Sequence, residues 1–118
     1  MSQYQHLPLY AKTYEFIKQV YRTVGQFRKE YKFSLGAELV QLIWTVLDEI
    51  IRANDLPDNQ KAIAIERIGQ TFEKFKIRWR LAYEIRLMTD VKFSIAQKDL
   101  EEIGKMIGGW QNWAKNKK

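Results

Sequence analysis

The stretch LVQLIWTVLDEII, residues 39–51, decides the fold. Its apolar side chains recur at steps of three and four residues, which is the period of one face of an α-helix. Polar residues interrupt the run at Gln41, Thr45, Asp48 and Glu49, so it is too short and too polar to span a bilayer. Ser34 can accept a hydrogen bond from a first-turn N–H, which predicts a helix over about residues 35–54.

Three further amphipathic helices are predicted, over about residues 8–27, 58–87 and 90–113. Pro8 suits a first helical turn. Thr89 followed by Asp90 suits a helix start, because a hydroxyl caps free N–H groups and a carboxylate favours the positive end of the helix dipole. The pair Gly108-Gly109 is expected to end or loosen the last helix. The chain is therefore predicted to be all-α, a single domain of residues 1–118 folded as an antiparallel, up-and-down four-helix bundle.

Aromatic residues are numerous, with four Trp, six Tyr and six Phe. Most lie at helical core spacing, which predicts packing rather than a binding role. The apolar face of the first helix is predicted to consist of Tyr10, Tyr14, Ile17, Val20, Tyr21, Val24 and Phe27. Trp44, Trp110 and Trp113 are harder to bury together in one small bundle, which suggests an interface between copies of the chain.

Composition offers little for catalysis. The chain has no cysteine, which excludes a disulfide, a thiolate metal site and a cysteine nucleophile, and fits a cytoplasmic protein. Di-metal sites in four-helix bundles use Glu-x-x-His pairs on facing helices. The only histidine, His6, precedes the first helix and is expected to be solvated. We therefore predict no catalytic residues, no metal, no cofactor and no enzymatic activity.

The charge of the chain is positive and unevenly distributed. Twenty basic and fourteen acidic residues leave a net charge of +6. Residues 1–33 carry six basic and two acidic side chains and residues 57–88 carry seven and four, whereas residues 34–56 carry one and four. Positive charge on a small protein favours polyanions such as nucleic acid, acidic lipid or an acidic partner.

Two basic clusters are the candidate binding site. Along the third predicted helix, basic residues at four-residue spacing form two stripes that flank the predicted core face; like charges at that spacing repel each other, which indicates a surface that meets an anion. A second cluster lies at the end of the first helix and in the following turn. The candidate nucleic-acid-binding residues are Arg22, Arg28, Lys29, Lys32, Lys74, Lys76, Arg78 and Arg80. The alternative is a solvated face, partly neutralised by Glu66, Glu73 and Glu84.

Five stretches in register resemble a known family. They are Leu7-Pro8-Leu9-Tyr10-Ala11-Lys12-Thr13-Tyr14-Glu15, Phe27-Arg28-Lys29-Glu30-Tyr31-Lys32-Phe33-Ser34-Leu35-Gly36, Ile50-Ile51-Arg52-Ala53-Asn54, Arg80-Leu81-Ala82-Tyr83-Glu84-Ile85-Arg86-Leu87 and Glu102-Ile103-Gly104-Lys105-Met106-Ile107-Gly108-Gly109-Trp110. In this order they resemble the accessory variability determinant (Avd) of diversity-generating retroelements. More distantly, they resemble the four-helix-bundle proteins encoded in 23S rRNA intervening sequences. Arg28 departs from the Avd pattern, which often has proline at this position. The Pro-x-Asn-Ile-Ala-Glu-Gly stretch of the second family is absent, and this absence favours Avd.

The resemblance implies a barrel-shaped homopentamer with a central channel. It also implies a basic surface that binds the retroelement's reverse transcriptase and its RNA or DNA without much sequence preference, supporting mutagenic copying of a template repeat. One alternative is an oligomeric scaffold of the intervening-sequence family with an unassigned protein or RNA partner. In an oligomer, the acidic second helix would be free to pair with a basic helix of a neighbouring subunit.

Overall fold

The computed structural model describes residues 7–117, and within them every regular element is a helix. Four long helices form the body of the protein, and one short helix lies in the connection between the first two. The helices are α1 (Pro8–Val24), α2 (Lys29–Lys32), α3 (Leu35–Asp55), α4 (Asp58–Glu84) and α5 (Asp90–Lys115). α1 and α4 each pack against α3 and α5, an arrangement compatible with the predicted four-helix bundle.

Local signals set several helix starts. Pro8 occupies the first turn of α1, and the Thr89 hydroxyl accepts a hydrogen bond of 3.1 Å from the Lys92 N–H at the start of α5, as predicted. The predicted cap at Ser34 is wrong. Its hydroxyl instead donates to the Glu30 carbonyl over 2.9 Å and makes no cap bond to α3, because the turn after α2 directs this side chain backwards.

α1 ends at Val24 rather than near residue 27. Gly25 caps it, and the N–H groups of Gln26 and Phe27 donate to carbonyls one turn back, so the chain is already turning. Phe27 is buried, but its side chain packs into the core from this turn rather than from α1. Its apolar character and spacing therefore led to the prediction that the helix continues to residue 27. The turn brings α3 close to α1: a Cβ added at Gly36 would lie 2.6 Å from Val24 Cγ1.

α4 ends at Glu84 rather than at residue 87. Arg86 adopts a left-handed conformation with φ 66°, and it is the non-glycine residue with positive φ in the described part of the chain. The Leu87 N–H donates to the Ala82 carbonyl and the Arg86 N–H to the Tyr83 carbonyl, both over 2.9 Å. This pair of bonds is the Schellman motif, which terminates a helix. Leu87 is buried after the motif, not as part of the helix.

α5 continues through Gly108 and Gly109 to Lys115, so the expectation that this pair ends the helix is wrong. Ile107 and Ala114 are buried on either side of the pair and hold both segments against the bundle. Tertiary packing of an apolar face outweighs the low helix propensity of glycine here.

The core is aromatic at its centre. Phe16 of α1 packs edge-on against Phe75 and at a tilt against Trp79, two residues of α4 that stack on each other with ring centroids 5.4 Å apart. The buried face of α1 therefore includes Phe16 and is rotated around the helix axis relative to the predicted apolar face. Tyr14 and Tyr21 are 41% and 49% exposed, because a tyrosine at the flank of a helix can cover apolar neighbours while its hydroxyl stays in water.

No helix within residues 7–117 is both long enough and apolar enough to cross a membrane.

Candidate nucleic-acid interface

The four candidate cations of α4 lie on two sides of the helix. Arg78 faces α3, where its Nε donates to Glu38 Oε1 over 2.9 Å, and Lys74 lies one turn before it. Lys76 and Arg80 face α5 and line one shallow cavity with Phe93 and Gln97. The two stripes thus flank the buried Phe72, Phe75 and Trp79.

Carboxylates neutralise much of the α4 charge. Lys76 Nζ lies 3.1 Å from Glu73 Oε1, and Arg80 Nε lies 3.2 Å from Glu84 Oε2. Together with the bond between Arg78 and Glu38, these pairs offset the like-charge repulsion inferred from the spacing. The pairs are solvent-exposed, so each is worth little and a phosphate group is able to replace the carboxylate.

The second cluster keeps more of its charge free. Within residues 7–117, Arg22, Lys29 and Lys32 form no ion pair with a carboxylate. Arg28 approaches Glu30 only to 4.0 Å, and its guanidinium lies over the Tyr31 ring, 5.1 Å from the centroid. These four residues, at the end of α1 and in the turn around α2, are therefore the better candidates for phosphate contacts.

Sequence reasoning missed two cations next to this cluster. A cavity of about 270 Å³ joins the end of α1 to the turn between α4 and α5. Its lining residues are Thr23, Gln26, Arg86, Leu87, Met88, Thr89 and Lys92. Lys92 Nζ donates to the Gln26 side-chain carbonyl over 2.8 Å, and no carboxylate of the described chain pairs with Arg86 or Lys92. The predicted antiparallel order, which brings residues 22–34 and 85–92 to one end, was the signal for including them.

We call the surface formed by these two turns the turn surface. Its basic residues are Arg22, Arg28, Lys29, Lys32, Arg86 and Lys92. The turn surface adjoins the α4 stripe of Lys74 and Arg78. Glu38, which lies four residues after Ser34 on α3, accepts the hydrogen bond from Arg78 at this place. Ser34, Glu38 and Arg78 line an open depression of about 490 Å³ between α3 and α4. Lys76 and Arg80 lie on the other side of α4, away from this depression.

The turn between α4 and α5 is held by aromatic and polar contacts. The Tyr83 ring stacks on Phe93 with centroids 3.9 Å apart, and its hydroxyl donates to Asp90 Oδ1 over 2.7 Å. This hydrogen bond to a carboxylate raises the pKa of Tyr83 above its ordinary value of 10.0, and burial raises it further. These contacts fix the helix end and helix start on either side of Arg86.

Residues 7–117 contain no group of three or more His, Asp or Glu side chains placed to hold a metal ion. His6 lies outside the described residues.

The comparison with protein families agrees with the resemblance seen in the sequence. The family model described as bAvd-like matches residues 8–114, a range that includes all four long helices almost completely. No curated protein matches the chain. The chain belongs to the bAvd-like family, and is thus an accessory protein of the Avd type.

Proposed function

We propose that this protein binds the reverse transcriptase of a diversity-generating retroelement together with its RNA or DNA, and thereby supports mutagenic template copying. The observation that carries the nucleic-acid part is the turn surface, where six cations gather with a single nearby carboxylate contact, Glu30 to Arg28 at 4.0 Å. Phosphate backbones bind to such cations by releasing condensed counterions, without reading base sequence.

Each candidate residue has a place in this proposal. Arg22, Arg28, Lys29 and Lys32 bind phosphates directly, together with Arg86 and Lys92. Lys74 and Arg78 extend the surface along the depression between α3 and α4. Lys76 and Arg80, paired with Glu73 and Glu84, are assigned to the reverse transcriptase side. Catalysis belongs to the partner enzyme, and this chain acts in the cytoplasm without a cofactor.

The proposal includes the antiparallel, up-and-down order of the helices. Supporting contacts occur in pairs along neighbouring helices. Lys12 of early α1 bonds Asp99 of α5, while Gln26, just after α1, bonds Lys92 of early α5. Similarly, Arg78 of late α4 bonds Glu38 of early α3. A homopentamer, implied by the resemblance to Avd, is the proposed assembly, and the partly exposed Trp44, Trp110 and Trp113 are available for subunit contacts.

A charge-matched comparison tests the nucleic-acid part. One variant carries Arg22→Gln, Lys29→Gln, Lys32→Gln and Arg86→Gln. Its control carries Lys98→Gln, Lys105→Gln, Lys115→Gln and Lys117→Gln, on α5 and directly after it. Binding of labelled RNA and DNA is measured over a series of salt concentrations. We expect the first variant to lose about 100-fold in affinity at low salt and to show a shallower salt slope, while the control loses much less.

The outcome is decisive in either direction. Equal losses in the two variants mean that only net charge matters, and the turn surface is then not the binding site. No binding by the wild type at low salt contradicts the nucleic-acid function altogether.

A second function is supported by the ion pairs of α4. Because Lys76, Arg78 and Arg80 are already bound to carboxylates, the second candidate is an oligomeric scaffold of the intervening-sequence type, with a protein or RNA partner. Sedimentation with and without reverse transcriptase separates the two functions. An oligomer that binds the enzyme but no nucleic acid favours the scaffold.

A further inference from the structure

Phe33 is the most exposed large apolar side chain in the described chain, with 73% of its surface accessible. It caps the C-terminal end of α2, where its N–H donates to the Tyr31 carbonyl. The backbone is thereby fixed while the ring projects from the protein. Exposing a whole phenylalanine ring to water is unfavourable, and no contact within residues 7–117 compensates for it.

The sequence neighbours of Phe33 are cationic. Lys32 precedes Phe33 directly, and Arg28 and Lys29 lie one turn earlier, at the start of α2. Residues 22–37 contain four basic side chains and one acidic side chain. Of these cations, Arg28 rests on the Tyr31 ring and the others form no ion pair with a carboxylate of the described chain. Phe33 is thus an exposed aromatic ring among cations that are available for phosphates.

This combination matches the chemistry of an unpaired nucleic-acid strand. Proteins bind single strands by pairing cations with the backbone and aromatic rings with the bases, and stacking tolerates any base because every base has a π-face. In a duplex the same faces are stacked on neighbouring base pairs and are inaccessible to a protein ring. A cationic surface alone does not distinguish the two forms, whereas an exposed ring does.

We infer that Phe33 stacks on an unpaired base of the bound strand, while Arg28, Lys29 and Lys32 hold the phosphates beside it, so that the protein prefers single-stranded RNA or DNA to duplex. The inference rests on the proposed nucleic-acid function and specifies its ligand. The apolar groove around Trp110, by contrast, lacks such cations on its lining.

The test compares three proteins on matched ligands. Phe33→Leu keeps an apolar side chain but removes the ring. The control is Tyr14→Leu, which removes another exposed ring (41% exposed) that lies under a lysine, Lys18, on α1. Affinities for a labelled single strand, as RNA and as DNA, and for the same strand annealed to its complement, are measured at one low salt concentration.

We expect Phe33→Leu to weaken single-strand binding about tenfold and to leave duplex binding within about twofold of the wild type, since one stacked base accounts for roughly that factor. Tyr14→Leu is expected to leave both affinities unchanged. A Phe33→Trp variant gives an independent signal: relative to the wild type, whose four tryptophans supply the background, its added indole fluorescence should be quenched on binding a single strand but not a duplex.

Each contrary result has its own meaning. If the wild type binds strand and duplex equally and Phe33→Leu weakens both or neither, the stacking inference is overturned while the nucleic-acid function stands. If sedimentation shows that Phe33→Leu changes the oligomeric state, the ring belongs to a subunit interface and the inference is overturned. If the wild type binds neither ligand at low salt, the inference and the proposed function fall together.

Discussion

Lys61 shows how a lysine is buried without an acidic partner. It is 8% exposed, and its Nζ donates to the carbonyls of Ala53 and Asn54 over 2.9 and 2.8 Å. These carbonyls belong to the last turn of α3, at the negative end of the helix dipole, which a positive charge stabilises. Lys61 of α4 therefore caps α3 from the neighbouring helix.

Replacing Lys61 with methionine keeps most of the side-chain volume and removes both hydrogen bonds. We expect Lys61→Met to lower the free energy of unfolding by about 1–3 kcal/mol, because two charge-assisted hydrogen bonds to backbone carbonyls are lost at a site that excludes most water. Urea denaturation followed by circular dichroism measures the change. The exposed Lys98→Met should stay within about 0.5 kcal/mol of the wild type, and an equal effect of both substitutions would contradict the capping role.

At the residue scale, local spacing predicted some contacts and not others. The pairs Lys76–Glu73 and Arg80–Glu84 follow from three- and four-residue steps on one helix. The bond between Arg78 and Glu38 joins residues 40 positions apart, so it depends on how α3 and α4 pack and is invisible in the sequence. Because of this pair, the α4 stripe that was predicted to carry free positive charge is partly neutralised.

At the scale of elements, the turn between α4 and α5 combines a strained backbone with the binding surface proposed above. Arg86 holds a left-handed conformation, φ 66°, which costs an L-residue with a side chain roughly 1 kcal/mol relative to glycine. Glycine is the usual residue at this position of a Schellman motif. A strained residue retained on a binding surface is consistent with a role for its guanidinium.

We therefore expect Arg86→Gly to have opposite effects on stability and binding. The free energy of unfolding should rise by up to about 1 kcal/mol through relief of strain, while affinity for nucleic acid at low salt should fall severalfold through loss of one phosphate contact. Thermal denaturation and a binding titration of the same preparation measure both. An unchanged affinity would remove Arg86 from the turn surface.

The contact between α1 and α5 includes a pH-dependent ion pair. Lys12 Nζ lies 2.9 Å from Asp99 Oδ1 and 3.2 Å from Glu102 Oε2. The hydrogen bond to Asp99 is the main cause that raises the pKa of Lys12 above its ordinary value of 10.5, and burial opposes it. A raised pKa in the folded state stabilises the protein below the unfolded pKa, and this stabilisation is lost as the pH rises through the folded pKa.

Lys12→Met should accordingly reduce stability by less than about 1 kcal/mol at neutral pH, since the pair is partly exposed. The difference between the two proteins should shrink as the pH rises beyond 10.5. Tyr83 titrates in the same alkaline range but is common to both proteins, so its effect cancels in the difference. Urea denaturation at several alkaline pH values measures the difference in free energy of unfolding between the two proteins. A difference that is independent of pH would show that packing of the lysine stem dominates.

Helix ends show where sequence patterns stop being sufficient. Thr89 and Pro8 act through their own backbone neighbours, and both predictions are confirmed. Phe27 and Leu87 are buried as apolar residues, yet each lies in a turn beyond the helix that its spacing extended. A periodic pattern records burial, and burial does not require that the residue be helical.

At the scale of the whole molecule, the excess positive charge is unevenly distributed. The net charge of +6 includes the turn surface, whose cations repel one another in the free protein. This repulsion lowers the stability of the folded state, whereas ion pairs elsewhere, such as those of Lys12 and Arg78, raise it.

Added sodium chloride should therefore stabilise the free protein while weakening its complex with nucleic acid. We expect the melting temperature of the free protein to rise by about 2 °C between low and physiological ionic strength, because screening reduces the repulsion at the turn surface. Differential scanning calorimetry measures the shift. A melting temperature that falls with salt would show that the surface ion pairs outweigh this repulsion.

The fold class followed from amphipathic periodicity, because four long stripes leave few ways to bury apolar surface. The family followed from five stretches in register, and the family model covering residues 8–114 confirms it. The turn surface could be predicted from the sequence only in part. Arg28, Lys29 and Lys32 stand out as a charge run, whereas Arg86 and Lys92 join them only once the packing of α1 against α5 is known.

The adjacent Gly108 and Gly109 also bear on how the native state fluctuates. A Cβ at either position would meet no atom within 4 Å, so packing inside the subunit does not require glycine. Each glycine costs a helix about 1 kcal/mol relative to alanine. Amide protons near this pair are therefore expected to exchange with solvent through local opening, at a lower free energy than the aromatic centre around Phe75 and Trp79. We expect the last turns of α5 to behave as a separate cooperative unit, which opens while the rest of the chain stays folded.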